Sequence, residues 1–260
     1  MIDTHCHLNL EPLSNTPSKF LDQALAAGVT NIIIPAVDLP TSQSAIDLAG
    51  TSDRLFAMVG IHPEEAAKTD FSNLFENLKS LALKPKVVAI GECGLDYFHT
   101  TQTKAAQHQL FEFQLQLAHE LDLPLSIHVR DLPAEASAKE DAHQDALELI
   151  RQFTPRAVLH CFSGNQDYLQ AALDLGLFIS FAGNVTFQNA HKLQQLAKLT
   201  PTDRLLVETD APYLNPDRGV FPNTPAQVVK TYHFLAKLKN ISLEQLSQAV
   251  EDNVHQLFNV

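Results

Sequence analysis

The 260-residue sequence predicts an α/β fold, a single (β/α)8 barrel of the TIM type spanning residues 1–260. Three observations carry that prediction. Eight short apolar segments recur along the chain with helical stretches between them, and alternation of this kind builds a parallel sheet. Several segments are unbroken Val, Ile and Leu runs, as expected where helices cover one face of a strand and the barrel interior covers the other. No Gly-rich phosphate loop follows the first segment, so a doubly wound open sheet fits less well.

The elements follow in order. Met1 to His7 reads as the first strand. Thr16-Pro17 opens a helix with a cap and a first-turn proline, and Gly28 closes it. Asn31–Val37, Leu55–Ile61 and Lys86–Glu92 supply strands two to four. Thr103 to Leu121 is the longest helical stretch, with Leu110, Phe113, Leu117 and Leu121 spaced along it. Leu125–Val129 and Ala157–Cys161 are strands five and six, followed by a helix over Asn165–Leu175 that stops at Gly176. Leu177–Ala182 and Leu205–Thr209 complete the eight, and Ser242–Phe258 is an extra helix expected on the outside. Residues 131–141, acidic and alanine-rich, read as a solvated insertion after strand five.

Composition narrows the partners. Thirty acidic side chains against 18 basic ones give a net charge of −12, which disfavours a broad basic nucleic-acid footprint. It leaves room for an enzyme that grips a strand end through metal and a few local cations. No stretch approaches the roughly 18–20 apolar residues of a membrane span. No secretory signal is visible, so a cytoplasmic location is expected. Three cysteines, an odd number without C-x-x-C spacing, predict no disulfide partner. Cys6, Cys93 and Cys161 each neighbour a candidate metal ligand and are expected to be small buried core groups.

In a barrel of this type the strand C-termini and the loops leaving them form the active site. Strand one ends Asp3-Thr4-His5-Cys6-His7, where alternate residues of an extended segment point the same way and set two imidazoles side by side. Strand four runs into Gly91-Glu92-Cys93-Gly94-Leu95-Asp96, strand five ends at His128-Val129-Arg130, strand six at His160, and strand eight at Glu208-Thr209-Asp210. Each alone is open to a bland reading as a core histidine, a helix cap or a turn carboxylate. Four imidazoles and two carboxylates at the ends of apolar runs on one rim point instead to a binuclear divalent-metal site.

The chain resembles the TatD-type metal-dependent hydrolases, the TatD DNase family of the amidohydrolase superfamily, over nearly its whole length. The matching signatures are Ile2 through His7, Gly60-Ile61-His62-Pro63, Gly91 through Tyr97, Leu159 through Gly164, and Glu208 through Tyr213. The resemblance implies that His5, His7 and Asp210 hold one metal, that His128 and His160 hold a second, and that Glu92 bridges both. Zn, Mn, Mg, Fe and Ni all suit such ligands. It implies a deoxyribonuclease acting from a DNA strand end, in which Asp210 is the candidate to take the proton of the attacking water, with a small ester, amide or phosphoester as the alternative substrate. His62 is expected to contact substrate, against the alternative of a packed turn histidine, and Arg130 either to meet a phosphate or to form a surface ion pair. Glu208 is expected to orient a ligand, and Asp96 to do the same or to organise its turn. One segment departs from the family. Arg218-Gly219-Val220-Phe221-Pro222-Asn223-Thr224-Pro225 carries apolar residues where many relatives are basic, which points to a variant subgroup.

Overall fold

A computed structural model of the protein describes residues 1–132 and 141–260. The expected insertion therefore lies largely outside the described residues. Eight strands form one sheet in sequential order: β1 (Ile2–Asp3), β2 (Asn31–Ile34), β3 (Leu55–Val59), β4 (Val87–Asp96), β5 (Leu125–Arg130), β6 (Ala157–Leu159), β7 (Phe178–Phe181) and β8 (Leu205–Val207). Every neighbouring pair is parallel. Between β8 and β1 the barrel is drawn together by a short seam. Thr4 N–H donates to Val207 O (3.2 Å), Asp210 N–H to His5 O (2.9 Å) and His7 N–H to Ala211 O (2.8 Å).

Helices α1 (Pro17–Ala26), α2 (Leu39–Ala49), α3 (Leu74–Ala82), α4 (Lys104–Leu121), α5 (Ala142–Phe153), α6 (Gln166–Asp174), α7 (His191–Leu199), α8 (Val228–Lys239) and α9 (Leu243–Phe258) surround it. Their apolar faces follow the helical period, as in α5, where Ala142, Ala146, Leu147 and Ile150 are buried. Side-chain caps start several of them. Asp141 accepts from Gln144 N–H, Asn165 from Tyr168 N–H, and Ser242 and Gln245 cap α9 reciprocally. Thr16 makes no such bond, and α1 begins on Pro17 alone. No helix among the described residues is long and apolar enough to cross a membrane.

The buried stripe of α4 includes Leu110, Phe111, Leu115, Leu117 and Ala118, while Phe113 and Leu121 are only partly covered. Two glutamines share that stripe and act as backbone clamps. Gln107 accepts from Asp96 N–H (2.8 Å) and donates to Asp96 O (2.9 Å). Gln114 does the same for Ile61, at 2.8 and 2.9 Å. A buried peptide group that leaves its ladder must find such partners, and the clamps fix the ends of β4 and of the loop after β3.

Strand limits shift from those expected. β1 ends at Asp3, because His5 and His7 already sit in the seam, where only the isolated bridge Cys6–Ala211 continues the pairing. β4 runs four residues beyond Glu92, paired with β5 up to Asp96–Arg130. Gly94 permits this close approach. Its φ is +135°, and a Cβ there would lie 2.0 Å from the carbonyl oxygen of His128. Cys6 and Cys93 are core groups as expected, whereas Cys161 is half-buried with a left-handed backbone (φ 44°) just past β6.

Candidate metal centre

Glu92 lies at the centre of the rim, buried, and its two oxygens face different sets of imidazoles. Oε2 is 3.4 Å from His5 Nε2 and 3.5 Å from His7 Nε2. Oε1 is 2.7 Å from His160 Nε2 and 2.9 Å from His128 Nδ1. Asp210 completes the first set, its Oδ1 3.6 Å from His7 Nε2 and 3.9 Å from His5 Nε2. All six residues singled out in the sequence are thus brought together, from β4, β5 and the segments following β1, β6 and β8.

The donor spacing fits metal ions. Ligand atoms about 2.1 Å from a tetrahedral ion lie about 3.4 Å from one another. The His5 and His7 Nε2 atoms are 3.3 Å apart, and so are His128 Nδ1 and His160 Nε2. His5, His7 and Asp210 form one group able to hold an ion. Ring nitrogens and carboxylate oxygens facing each other at these distances call for positive charge between them. Burial opposes a charge on His128 and His160, but Glu92, with Asp96 at His128 and Glu208 at His160, outweighs it and raises both rings above the ordinary imidazole range. Burial likewise opposes ionisation of Glu92, yet His160, His62 and His128 hold its carboxyl well below the usual range.

The surrounding contacts set the tautomers. Asp96 Oδ2 is 3.0 Å from His128 Nε2, and a carboxylate can only accept, so Nε2 carries the hydrogen and Nδ1 offers its lone pair inward. Glu208 Oε1 accepts from Cys161 N–H (2.6 Å) and faces His160 Nδ1 at 3.5 Å, while its Oε2 accepts from Ser180 Oγ (2.6 Å). Asp96 thus lies against the His128 ring and Glu208 against the His160 ring. His62 Nδ1 accepts from Glu64 N–H (3.3 Å), which leaves its Nε2–H aimed at Glu92 Oε1, 3.4 Å away. His62, Glu92 and His128 also form a group able to hold an ion. Arg130 is exposed and lies flat on the Phe98 ring, 3.8 Å from its centroid, outside the central cluster.

Asp3 was not singled out from the sequence. It is fully buried, accepting from the Thr209 hydroxyl (2.6 Å), Thr209 N–H (2.9 Å) and His5 N–H (3.4 Å), and so ties the strand bearing His5 to the segment bearing Asp210. Burial raises its pKa to about 8, despite the bonds from Thr209. Its place in the Asp-Thr-His run was the available signal.

An eight-stranded parallel barrel with histidines and carboxylates converging at its C-terminal mouth defines a hydrolase-type metal scaffold. The family model of TatD-related DNases matches residues 2–259, and the chain belongs to that family. The uncharacterized metal-dependent hydrolase YcfH of Escherichia coli is 37% identical over 268 residues, covering all of this chain and 96% of that protein. The 3'-5' ssDNA/RNA exonuclease TatD of Citrobacter rodentium is 34% identical over 267 residues, covering all of this chain and 98% of that one. The crystal structure of YjjV, a TatD homologue from Escherichia coli, superposes with a TM-score of 0.91 at 32% identity, covering 100% and 98% of the two chains.

Proposed function

We propose that this protein is a divalent-metal-dependent phosphodiesterase that releases nucleotides from a DNA strand end. The observation that carries the reading is the division of labour at Glu92, one oxygen toward His5 and His7 and the other toward His128 and His160. In this reading His5, His7 and Asp210 hold one ion, His128 and His160 hold a second, and Glu92 is shared. Two divalent cations held there supply a lowered water pKa and positive charge against the phosphoryl oxygens.

The chain's own residues do the rest. Asp210 stays ionised, since burial is outweighed by His7, His5 and His160, and it takes the proton of the attacking water. Asp96 and Glu208 fix the His128 and His160 rings, so their lone pairs need no reorganisation during turnover. His62, through Nε2–H, steadies the shared carboxylate. Relatives named as ssDNA/RNA exonucleases support nucleic acid as substrate. The net charge of −12 favours a second reading, a small phosphoester.

The test is nucleotide release from short single-stranded oligonucleotides before chelation, after it, and after adding back Zn, Mn or Mg, beside a panel of small phosphoesters. Release that is lost and regained with metal is expected. Intact oligonucleotides under all metals, with turnover of a small ester, would overturn the DNA reading.

A further inference from the structure

Seven large apolar side chains are exposed among the described residues, and their placement is not even. Leu25, Leu83 and Leu199 sit at the C-terminal ends of α1, α3 and α7, on the face of the barrel away from the site. Phe98, Tyr213, Val220 and Phe221 all lie in the loops that leave β4 and β8, at the mouth. Every aromatic member of the set is therefore on the side of the metal centre. Phe221 is 64% and Tyr213 52% exposed, a standing cost in water that a ligand would remove.

These residues flank the centre from two sides. Tyr213 follows Asp210 and presents its ring edge-on to His7, with centroids 6.5 Å apart. Behind it the loop 212–223 closes on itself. Asn223 N–H donates to Pro212 O (2.8 Å), and the Asn223 side chain donates to Thr209 O (3.0 Å). Val220 and Phe221 are thus held on a compact loop anchored beside Asp210. On the other side Phe98 follows Asp96, which aims His128, and carries the Arg130 guanidinium on its ring. Arg130 has no ion-pair partner among the described residues, and neither has Arg218, whose guanidinium lies 5.8 Å from the Phe187 centroid.

Two unpaired arginines on an acidic protein give little attraction for a long phosphate backbone. The exposed rings at the same mouth give the other means of holding a single strand, stacking on base faces, which a duplex hides. Resting on the nuclease reading above, we propose that the protein holds its substrate through unpaired bases, stacked on Phe98–Arg130 on one side and on Tyr213 with the Val220–Phe221 loop on the other.

The experiment compares a fluorescent single-stranded hexanucleotide with one of equal length whose terminal residues are abasic. Anisotropy with chelator present reads binding without cleavage, and cleavage is measured separately with metal. The wild type is expected to bind the natural strand about tenfold more tightly than the abasic one, and Val220→Ser/Phe221→Ser to narrow that gap to about twofold. Equal binding of both strands by the wild type, or an unchanged gap in the double variant, overturns the base-stacking inference while cleavage upholds the nuclease. Absence of both binding and cleavage overturns both. Sedimentation with phosphatidylglycerol vesicles that depends on Phe221 reassigns the loop to a lipid surface and also overturns the inference.

Discussion

Replacing Asp96 by asparagine removes an acceptor from the group that aims His128. Both Asp96 oxygens are in use: Oδ1 accepts from His99 N–H at 2.9 Å, and Oδ2 meets His128 Nε2 at 3.0 Å. An asparagine amide nitrogen cannot accept, so in one orientation it opposes the His128 N–H and in the other the His99 N–H. The second orientation keeps the His128 contact, but as a neutral hydrogen bond, roughly half as strong as the charge-assisted one. The side chain is fully buried, so water cannot substitute. Losses of this kind weaken metal affinity by about 10–100-fold, or about 1.4–2.7 kcal/mol. Calorimetric titration of metal-stripped protein with Zn or Mn reads it. The ion proposed at His128, His160 and Glu92 is expected to weaken by that factor, with the one proposed at His5, His7 and Asp210 changed by less than about threefold. Equal weakening of both ions, or of neither, would refute the assignment of Asp96 to His128.

Further outcomes follow from contacts elsewhere. Asp210→Asn is expected to lower kcat roughly 10²–10⁴-fold while the His128/His160 ion is still taken up, checked by single-turnover kinetics beside metal analysis. Gly94→Ala drives a Cβ to 2.0 Å from His128 O at a φ of +135°, so it is expected to destabilise the fold by about 2–3 kcal/mol and lower metal affinity; unchanged melting would contradict this. Tyr232→Phe strips both partners from Ile2, whose N–H donates to the Tyr232 oxygen (3.1 Å) and whose carbonyl accepts from it (2.9 Å). Urea unfolding is expected to show a loss of about 2–4 kcal/mol, with turnover of the folded fraction retained.

All eight strands were legible, because parallel strands covered on both faces announce themselves as apolar runs between helical segments. Their limits were less so. Strand four was expected to stop at Glu92, yet the chain stays extended to Asp96, because β5 runs alongside and Gln107 clamps the end. The six central residues were visible because each follows such a run. Several residues that tie the site together were not. Gln107 and Gln114 are single polar positions within an apolar helical stripe, and Asp3 and Ser180 meet partners far away in sequence. Their roles exist only once the barrel brings them together. Arg130 shows the converse: a residue well placed by strand alternation settles on Phe98 and not in the centre.

The seam between the first and last strands carries one more consequence. His5 and His7 follow the first strand and Asp210 the eighth, joined by His7 N–H to Ala211 O and Asp210 N–H to His5 O. That donor trio assembles only when β1 and β8 meet. A nascent chain still lacking β8 has no such trio, so uptake of an ion there would report closure of the barrel and, by mass action, hold the seam shut.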